Sequence, residues 1–361
     1  MKINRLLVVS MLLLSGFLTG CDEDKTPAEG FAGLGNAASA FAQVVPGKVF
    51  SFPQDHGPHE GFRIEWWYVT ANLKDDQGHD FGVQWTLFRN ALKAGPDPAG
   101  WGSQTLWMGH AAVTSASQHY AAERYARGGV EQAGVNTAPF KAWIDDWTFD
   151  SHSTRDDPLA DMQLHARGPT FSYQLHLTST QPLVLQGVQG FSQKSEQGQA
   201  SYYYSQPYFQ ASGSLMIDGK TFHVSGPAWL DREWSSQPLT AEQTGWDWFS
   251  VHLESGAQLM LYRMRQKSGE PYVTGTWIDA DGQTQLLKGS QMQLTPLASS
   301  DVAGHEMPTR WSVKIPSKQL DIVTTALNPK AWMDLRIPYW EGPVTVTGNQ
   351  KGIGYLEMTG Y

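Results

Sequence analysis

From Phe62 onward, apolar and polar residues alternate with a period of two, as strands with one buried and one polar face require. Trp66 to Leu73, the polar turn Asp75-Asp76-Gln77-Gly78 and Phe81 to Phe88 predict an antiparallel hairpin. Further strands are predicted around 108–114, 143–149, 162–166, 171–178 and 212–217, most of them separated by Gly, Pro, Asn or Asp. Asp218-Gly219 predicts a type I′ turn joining 214–217 to 221–224. The second half predicts strands at 259–263, 272–278, 291–294, 310–315, 320–324 and 339–346, with Asp281-Gly282 as a turn. The closing stretch from Ile353 to Tyr361 is itself patterned as strand, which places the end of the chain in a sheet. No long helix is predicted; 37–42 and 329–334 suit short ones at most.

An internal echo divides this pattern. Trp66 to Leu73 aligns without gaps to Trp246 to Leu253, Tyr68 falling opposite Trp248 and Leu73 opposite Leu253. Each run then meets a polar turn with Gly78 or Gly256 and an alternating strand, Phe81 and Val83 against Leu259 and Leu261. A repeat of more than a hundred residues is too long for a solenoid and predicts two copies of one barrel-like β domain.

The N-terminus has a different character. Lys2 and Arg5 precede an apolar run from Leu6 to Leu18, and Leu18-Thr19-Gly20-Cys21 ends on the one cysteine of the chain. A basic start, a short apolar run and small residues before a cleavage point make a secretory signal, and this one resembles a bacterial lipoprotein signal. The expectation is a signal peptide over 1–20, acylation of Cys21 and a tether over 21–47 that is rich in small residues. Asp22 after the acylated position resembles a signal for retention, so the expected location is the cell envelope, lipid-anchored on the periplasmic face of the inner membrane. Gly33-Leu34-Gly35-Asn36-Ala37-Ala38 matches a loose dinucleotide fingerprint, but no strand precedes it and it is set aside.

Charge and composition exclude more than they identify. The formal net charge is -9 and no Lys/Arg run occurs, so nucleic acid is not an expected partner. One cysteine permits no disulfide framework, and stability must come from burial. Fifteen Trp, 13 Tyr and 15 Phe supply ample aromatic surface for cores or for an apolar ligand. There is no Gly-x-Ser-x-Gly elbow and no phosphate-binding loop, and Cys21 is spent on lipid. No cofactor is expected.

Four motifs carry a resemblance: Glu65-Trp66-Trp67-Tyr68, Trp229-Leu230-Asp231-Arg232-Glu233-Trp234-Ser235, Gly245-Trp246-Asp247-Trp248-Phe249 and the closing Gly354 to Tyr361. In order and spacing they resemble the AttH-like, lipocalin-like family that also contains the carotenoid 1,2-hydratases. The resemblance covers roughly Phe50 to Tyr361 and implies an all-β fold of two consecutive lipocalin-like (calycin-type) antiparallel β-barrel domains, expected here over 48–226 and 227–361. The carotenoid branch resembles this chain less closely at one place, having Asp-His-Asn-Trp where Asp231-Arg232-Glu233-Trp234 stands. Its acid is further on, near Tyr262 to Met264, where this chain has Arg263 and no carboxylate.

A hydratase needs an acid to protonate a double bond, a wall that tolerates the resulting cation, and water. Asp231, Glu233 and Asp247, interleaved with aromatic residues, are the candidate acids. Trp66, Trp67, Tyr204, Trp234, Trp246 and Trp248 are the candidate ligand wall. Two readings of Asp231-Arg232-Glu233 stand side by side: a polar group at a pocket mouth, or a buried ion network in which Arg232 bridges carboxylates and pins the join between the domains. Asp247 alternates with two indoles, and either lies outside a barrel that they line or reaches inward to an indole N–H. The run from Tyr202 to Phe209 reads equally as a ligand-facing wall and as a core strand. His56 and His59 are of metal-ligating type, but no further ligands are evident and the segment reads as a turn; no metal site is expected. His110, in a predicted strand, reads as a core histidine before it reads as a catalytic base.

The primary expectation is a membrane-anchored periplasmic lipoprotein that binds or hands over a hydrophobic or amphiphilic ligand in a barrel mouth. The family resemblance adds an ABC-type transporter permease as an expected partner. The alternatives are a hydro-lyase acting on an isoprenoid or lipid double bond, and a non-catalytic envelope scaffold.

Overall fold

The computed structural model describes residues 31–361 except Gly35, Ala37 and Thr180. Cys21 and the predicted signal therefore lie outside the described residues. The first sheet contains β1 (Ile64–Asp75), β2 (Asp80–Ala91), β3 (Thr105–Ser115), β4 (His119–Arg127), β5 (Ala133–Thr137), β6 (Phe140–Ile144), β7 (Trp147–Ser151), β8 (Asp161–Arg167), β9 (Phe171–Thr178), β10 (Val184–Leu185), β11 (Phe191–Gln193), β12 (Ala200–Ile217) and β13 (Lys220–Ser235). The second contains β14 (Gln243–Leu253), β15 (Gln258–Gln266), β16 (Tyr272–Ile278), β17 (Thr284–Lys288), β18 (Gln293–Val302), β19 (His305–Ile315), β20 (Leu320–Ala326), β21 (Trp332–Met333), β22 (Tyr339–Gly348) and β23 (Gly352–Met358). Every pairing is antiparallel, and the described helices are single 3-10 turns.

The two sheets repeat one topology. Strands run β4-β3-β2-β1-β13-β12-β9-β8-β7-β6-β5 in the first and β17-β16-β15-β14-β23-β22-β20-β19-β18 in the second. In each, the opening strand of the meander pairs with the last strand, so β1 between β2 and β13 corresponds to β14 between β15 and β23. The echo between Trp66–Leu73 and Trp246–Leu253 is therefore structural: these are the equivalent strands. In the first sheet β6 returns against β2, β3 and β4, nearly closing a barrel; the second sheet is a half-barrel. The expected division at 226/227 falls inside β13, which stays in the first sheet through Ser235 because its whole length is paired with β1 and β12.

Alternation decides what fills each unit. Trp67, Val69, Val83, Trp85, Leu87, Trp147, Phe149 and Leu230 point inward and pack the first barrel solid. Phe249, Trp277, Trp311 and Trp340 do the same for the second sheet. The large cavity lies on the opposite faces of these strands, between the two sheets, and not in a barrel mouth as expected. The predicted turn at Asp218-Gly219 forms with φ of 49° and 78°, as type I′ demands. Pro207, which has no N–H to give a ladder, sits where β12 shifts register between Gln206 and Phe209.

Several described residues between 31 and 47, a stretch expected as part of a tether, contact the body. Phe31 meets the Trp246 ring edge-on at 5.5 Å, the Arg63 guanidinium donates to Asn36 O and Leu34 O, and Val45 exchanges hydrogen bonds with the Tyr202 hydroxyl at 3.1 and 2.9 Å.

The outer faces of β1–β3 and β12–β13 meet the outer faces of β14–β15 and β22–β23. Asn72 Nδ2 donates to Gly354 O at 2.7 Å, and the Trp229 and His252 rings meet edge-on at 5.6 Å. Gly82 on β2 is what lets the two units close: a Cβ there would lie 2.6 Å from Pro343 Cδ and 2.8 Å from the Tyr355 hydroxyl. Gly82→Val is expected to cost about 1–3 kcal/mol by overpacking, read as a fall of several degrees in Tm by calorimetry; an unchanged Tm would mean that this contact is not close.

Candidate active site between the two sheets

The face that alternation turns away from each barrel lines a cavity of about 470 Å³ between the sheets. Cross-strand register puts its floor in a single row. Ser205 on β12 lies opposite Asp231, Asp231 opposite Tyr68, Tyr68 opposite Thr86, and Thr86 opposite His110. The second sheet supplies the matching row, in which Glu341, Glu357, Trp248, Tyr262 and Thr274 are successive partners. Asp231 and Glu357 are thus equivalent positions of the repeat, each beside the residue of the aromatic motif that corresponds in the other half. Tyr68 and Trp248 meet edge to face with ring centroids 5.3 Å apart. Trp66, Phe88, Met108, Trp246, Tyr262 and Met264 complete most of the apolar wall.

Asp231 is 2% exposed and accepts three hydrogen bonds: Ser205 Oγ and Trp229 Nε1 donate to Oδ1 at 2.5 and 2.6 Å, and the Tyr203 hydroxyl donates to Oδ2 at 2.5 Å. Burial nevertheless pushes its carboxyl up to about 7, outweighing the three donors. An indole N–H only donates, so Oδ1 is fixed as an acceptor and the acid proton belongs on Oδ2. Tyr203 in turn accepts from Trp248 Nε1 at 3.2 Å, which couples the acid to the second sheet. Glu357 accepts from Trp246 Nε1 at 2.5 Å, and burial pushes it to about 7, with the Asp231 and Glu233 charges adding to the rise. Glu233 lies two residues from Asp231 on the same face and is ion-paired with Lys194 at 2.8 Å. The Lys194 ammonium stands 4.2 Å from the Tyr262 ring centroid and 4.9 Å from that of Tyr203. A buried acid that is half protonated near neutral pH, a second one nearby and electron-rich ring faces around them can protonate an apolar substrate and hold a cation.

The sequence candidates separate by strand face. Asp231, Glu233, Trp66, Trp246 and Trp248 line the cavity. Asp247 does not: as the residue between two cavity-facing indoles it points into the second half-barrel, where Arg263, Arg265 and the Tyr361 hydroxyl hold it. Neither expected placement of Asp247 is the observed one, because the indoles face the inter-sheet cavity and not a barrel interior. Trp67 and Trp234 are on the inward side of their strands, and Tyr204 is directed with them. The Arg232 guanidinium lies 3.8 Å over the Trp67 ring, Trp234 stacks on His59 at 3.9 Å, and the Tyr204 hydroxyl bonds His56 Nδ1 at 2.6 Å. These three close the end of the first barrel with Phe50 and Phe52 and have no face free for a ligand.

Arg232 pairs with Glu65 at 2.5 Å and donates to Gly57 O, all within the first barrel. It neither bridges Asp231 to Glu233 nor pins the join between the domains, since its side chain points the opposite way from theirs. The Tyr202–Phe209 run divides likewise: Tyr203 faces the cavity, while Tyr202 and Tyr204 are core. His59 is engaged by Asp55 and Glu65, and among the described residues no cluster of His, Cys, Asp and Glu is disposed to hold a metal. Glu357, Glu341, Tyr339 and Lys194 were missed by sequence reasoning. The alternation Tyr355, Glu357, Thr359 and the repeat together carried a signal for Glu357, since its register partner Trp248 echoes Tyr68.

A two-domain lipocalin-like protein with its polar groups gathered between the sheets is the class that this geometry defines. The profile of the AttH-like family matches residues 43–361, and the chain belongs to that family. It is similar to the solved structure of an AttH from Nitrosomonas europaea, with 35% identity over 89% of this chain and 100% of that one and a TM-score of 0.77. Kievitone hydratase from Nectria haematococca shares the fold at 16% identity, covering 86% of this chain and 93% of the other with a TM-score of 0.67. CghA, solved with Sch210972, shares it at 13% identity, 90% and 97% coverage and a TM-score of 0.58. No protein of curated function matches the sequence.

Proposed function

We propose that the protein is a hydro-lyase-type enzyme that adds water to, or removes it from, a carbon–carbon double bond of an isoprenoid or similar lipid in the inter-sheet cavity. The observation that carries this is Asp231, a buried cavity-wall carboxyl pushed up to about 7 and surrounded by three donors. Those donors favour the carboxylate that appears only as the proton leaves, which is where stabilisation accelerates the step. In the hydration direction, the proton on Asp231 Oδ2 passes to one alkene carbon and the π pair forms the new C–H bond. The neighbouring carbon becomes cationic, faced by the rings of Tyr68, Trp66, Trp246 and Trp248. A water oxygen bonds to that carbon and its extra proton goes to the Glu357 carboxylate; proton exchange through water then restores both acids. That a neighbour of the same fold is a hydratase supports the reaction class.

Acylation at Cys21 and a periplasmic inner-membrane position belong to the same proposal and rest on the sequence alone. A second reading, a carrier that hands an apolar ligand to an ABC-type transporter, is favoured by the predominantly apolar lining of the cavity. Turnover separates the two. The purified full chain is incubated with geraniol, farnesol and geranylgeraniol in H2(18)O and the products are read by mass spectrometry. Enzymatic gain of one labelled water supports the hydro-lyase; tight binding without label incorporation or hydrogen exchange from D2O supports the carrier.

A further inference from the structure

The end of the cavity remote from Asp231 carries a polar atom that the proposed chemistry does not use. His110 is 1% exposed and lines the cavity, and its Nε2 is buried without a hydrogen-bond partner. Its Nδ1 is bonded to the Tyr339 hydroxyl at 3.0 Å, and the two rings stack at 5.6 Å. Nearby, Glu341 accepts from the Tyr68 hydroxyl on Oε1 at 2.5 Å. Glu123, directly across the sheet from His110, is committed to the Tyr125 hydroxyl and to Arg336 N.

The Nδ1–Tyr339 bond leaves Nε2 as the ring nitrogen with an open hydrogen-bonding position. A buried ring nitrogen that meets an apolar cavity without a partner costs about 1–3 kcal/mol, unless a ligand supplies one.

We propose that His110 is the polar anchor of the ligand: its Nε2 hydrogen-bonds an oxygen on the end of an isoprenoid-like chain whose double bond lies at Asp231. The inference rests on the cavity as the substrate site and deepens that reading by naming a substrate class. Asp231, Tyr68, Thr86 and His110 occupy one cross-strand row, three inter-strand spacings from end to end, or about 14 Å between outer Cα atoms. The ligand is therefore an amphiphile whose oxygen and reacting double bond are separated by about 10–14 Å on that scale, with Arg336 at the same wall for an oxygen that bears charge.

Farnesol, farnesoic acid and the hydrocarbon farnesene serve as probes, with affinity read by quenching of tryptophan fluorescence on the full chain. Wild type is expected to bind the oxygenated probes at least about tenfold more tightly than farnesene, a margin of one good hydrogen bond. His110→Leu should remove that margin while leaving farnesene affinity unchanged, and His110→Gln, whose amide supplies both a donor and an acceptor, should restore part of it. Trp248→Ala is expected to weaken all three probes alike. A preference retained in His110→Leu, or an equal loss for all three probes, would overturn the anchor but leave the cavity as the site. Failure of wild type to bind any of the three overturns both.

Discussion

Asp231→Asn is expected to lower turnover by roughly 10²–10⁴-fold, the usual contribution of a positioned general acid, while ligand affinity stays within about twofold. Asparagine keeps an oxygen for the Trp229 indole and the Ser205 hydroxyl, so these two hydrogen bonds survive, while the contact with Tyr203 reverses, the amide donating to the phenol oxygen. What disappears is the transferable proton. Activity of the wild type should fall as pH rises above about 7, when the acid form is lost, and Glu357 adds a second, coupled ionisation in the same range. The same substitution has a signature in stability. The wild-type carboxyl is protonated up to about 7 when folded and only to 3.8 when unfolded, so it contributes stability that is full below about pH 4 and is lost as pH rises toward 7. Relative to wild type, Asp231→Asn should therefore gain stability over that interval, by roughly 4 kcal/mol at most. Denaturant unfolding at pH 4 and pH 7 measures it. A variant that turns over normally removes Asp231 from the chemistry whatever its stability.

Arg232→Met should destabilise the first domain by about 3–5 kcal/mol, the cost of leaving a buried partner uncompensated. Arg232 is fully buried and pairs with Glu65, which is also buried and keeps Arg89 and the His59 contact when Arg232 is gone. Methionine replaces the stem against Trp67 but not the bonds to Gly57 O and Glu233 O. The network also gives the fold an acid limit. The Arg232 and Arg89 charges and the His59 hydrogen bond hold Glu65 below the ordinary carboxylate range against burial, and hydrogen bonds from His59 and Ser51, with Lys48 nearby, hold Asp55 at about 2. Carboxylates lowered in this way contribute stability that is present above about pH 4 and lost as pH falls toward 2. Calorimetry at pH 7 and a pH titration of unfolding check both statements. A loss below about 1 kcal/mol would show that the network is replaceable and that this motif is there for another reason.

The strands, the hairpin at Asp218-Gly219 and the doubled architecture were legible because each depends on local period and turn chemistry. The repeat between Trp66–Leu73 and Trp246–Leu253 even located the two equivalent central strands. The expectation of an N-terminal signal ending at Cys21 rests on a chemical motif alone and falls outside the described residues. Asp231, Glu233, Trp66, Trp246 and Trp248 could be named from the sequence, but so could Asp247, Trp67, Tyr204 and Trp234. The period of two shows that neighbours point to opposite faces without saying which face meets the cavity.

That choice belongs to the tertiary structure. The sequence by itself determined two β units, their strand order near the repeat and the set of carboxyl and aromatic groups available. Packing decided that both barrels are filled by their inward residues, so that the outward faces, joined across Gly82 and Asn72, enclose the ligand space. Only then do Glu357 and Glu341, far from Asp231 along the chain, join its cavity or its surroundings. Burial and charge at that distance depend on which surfaces dock, and docking depends on long-range shape that no local pattern records.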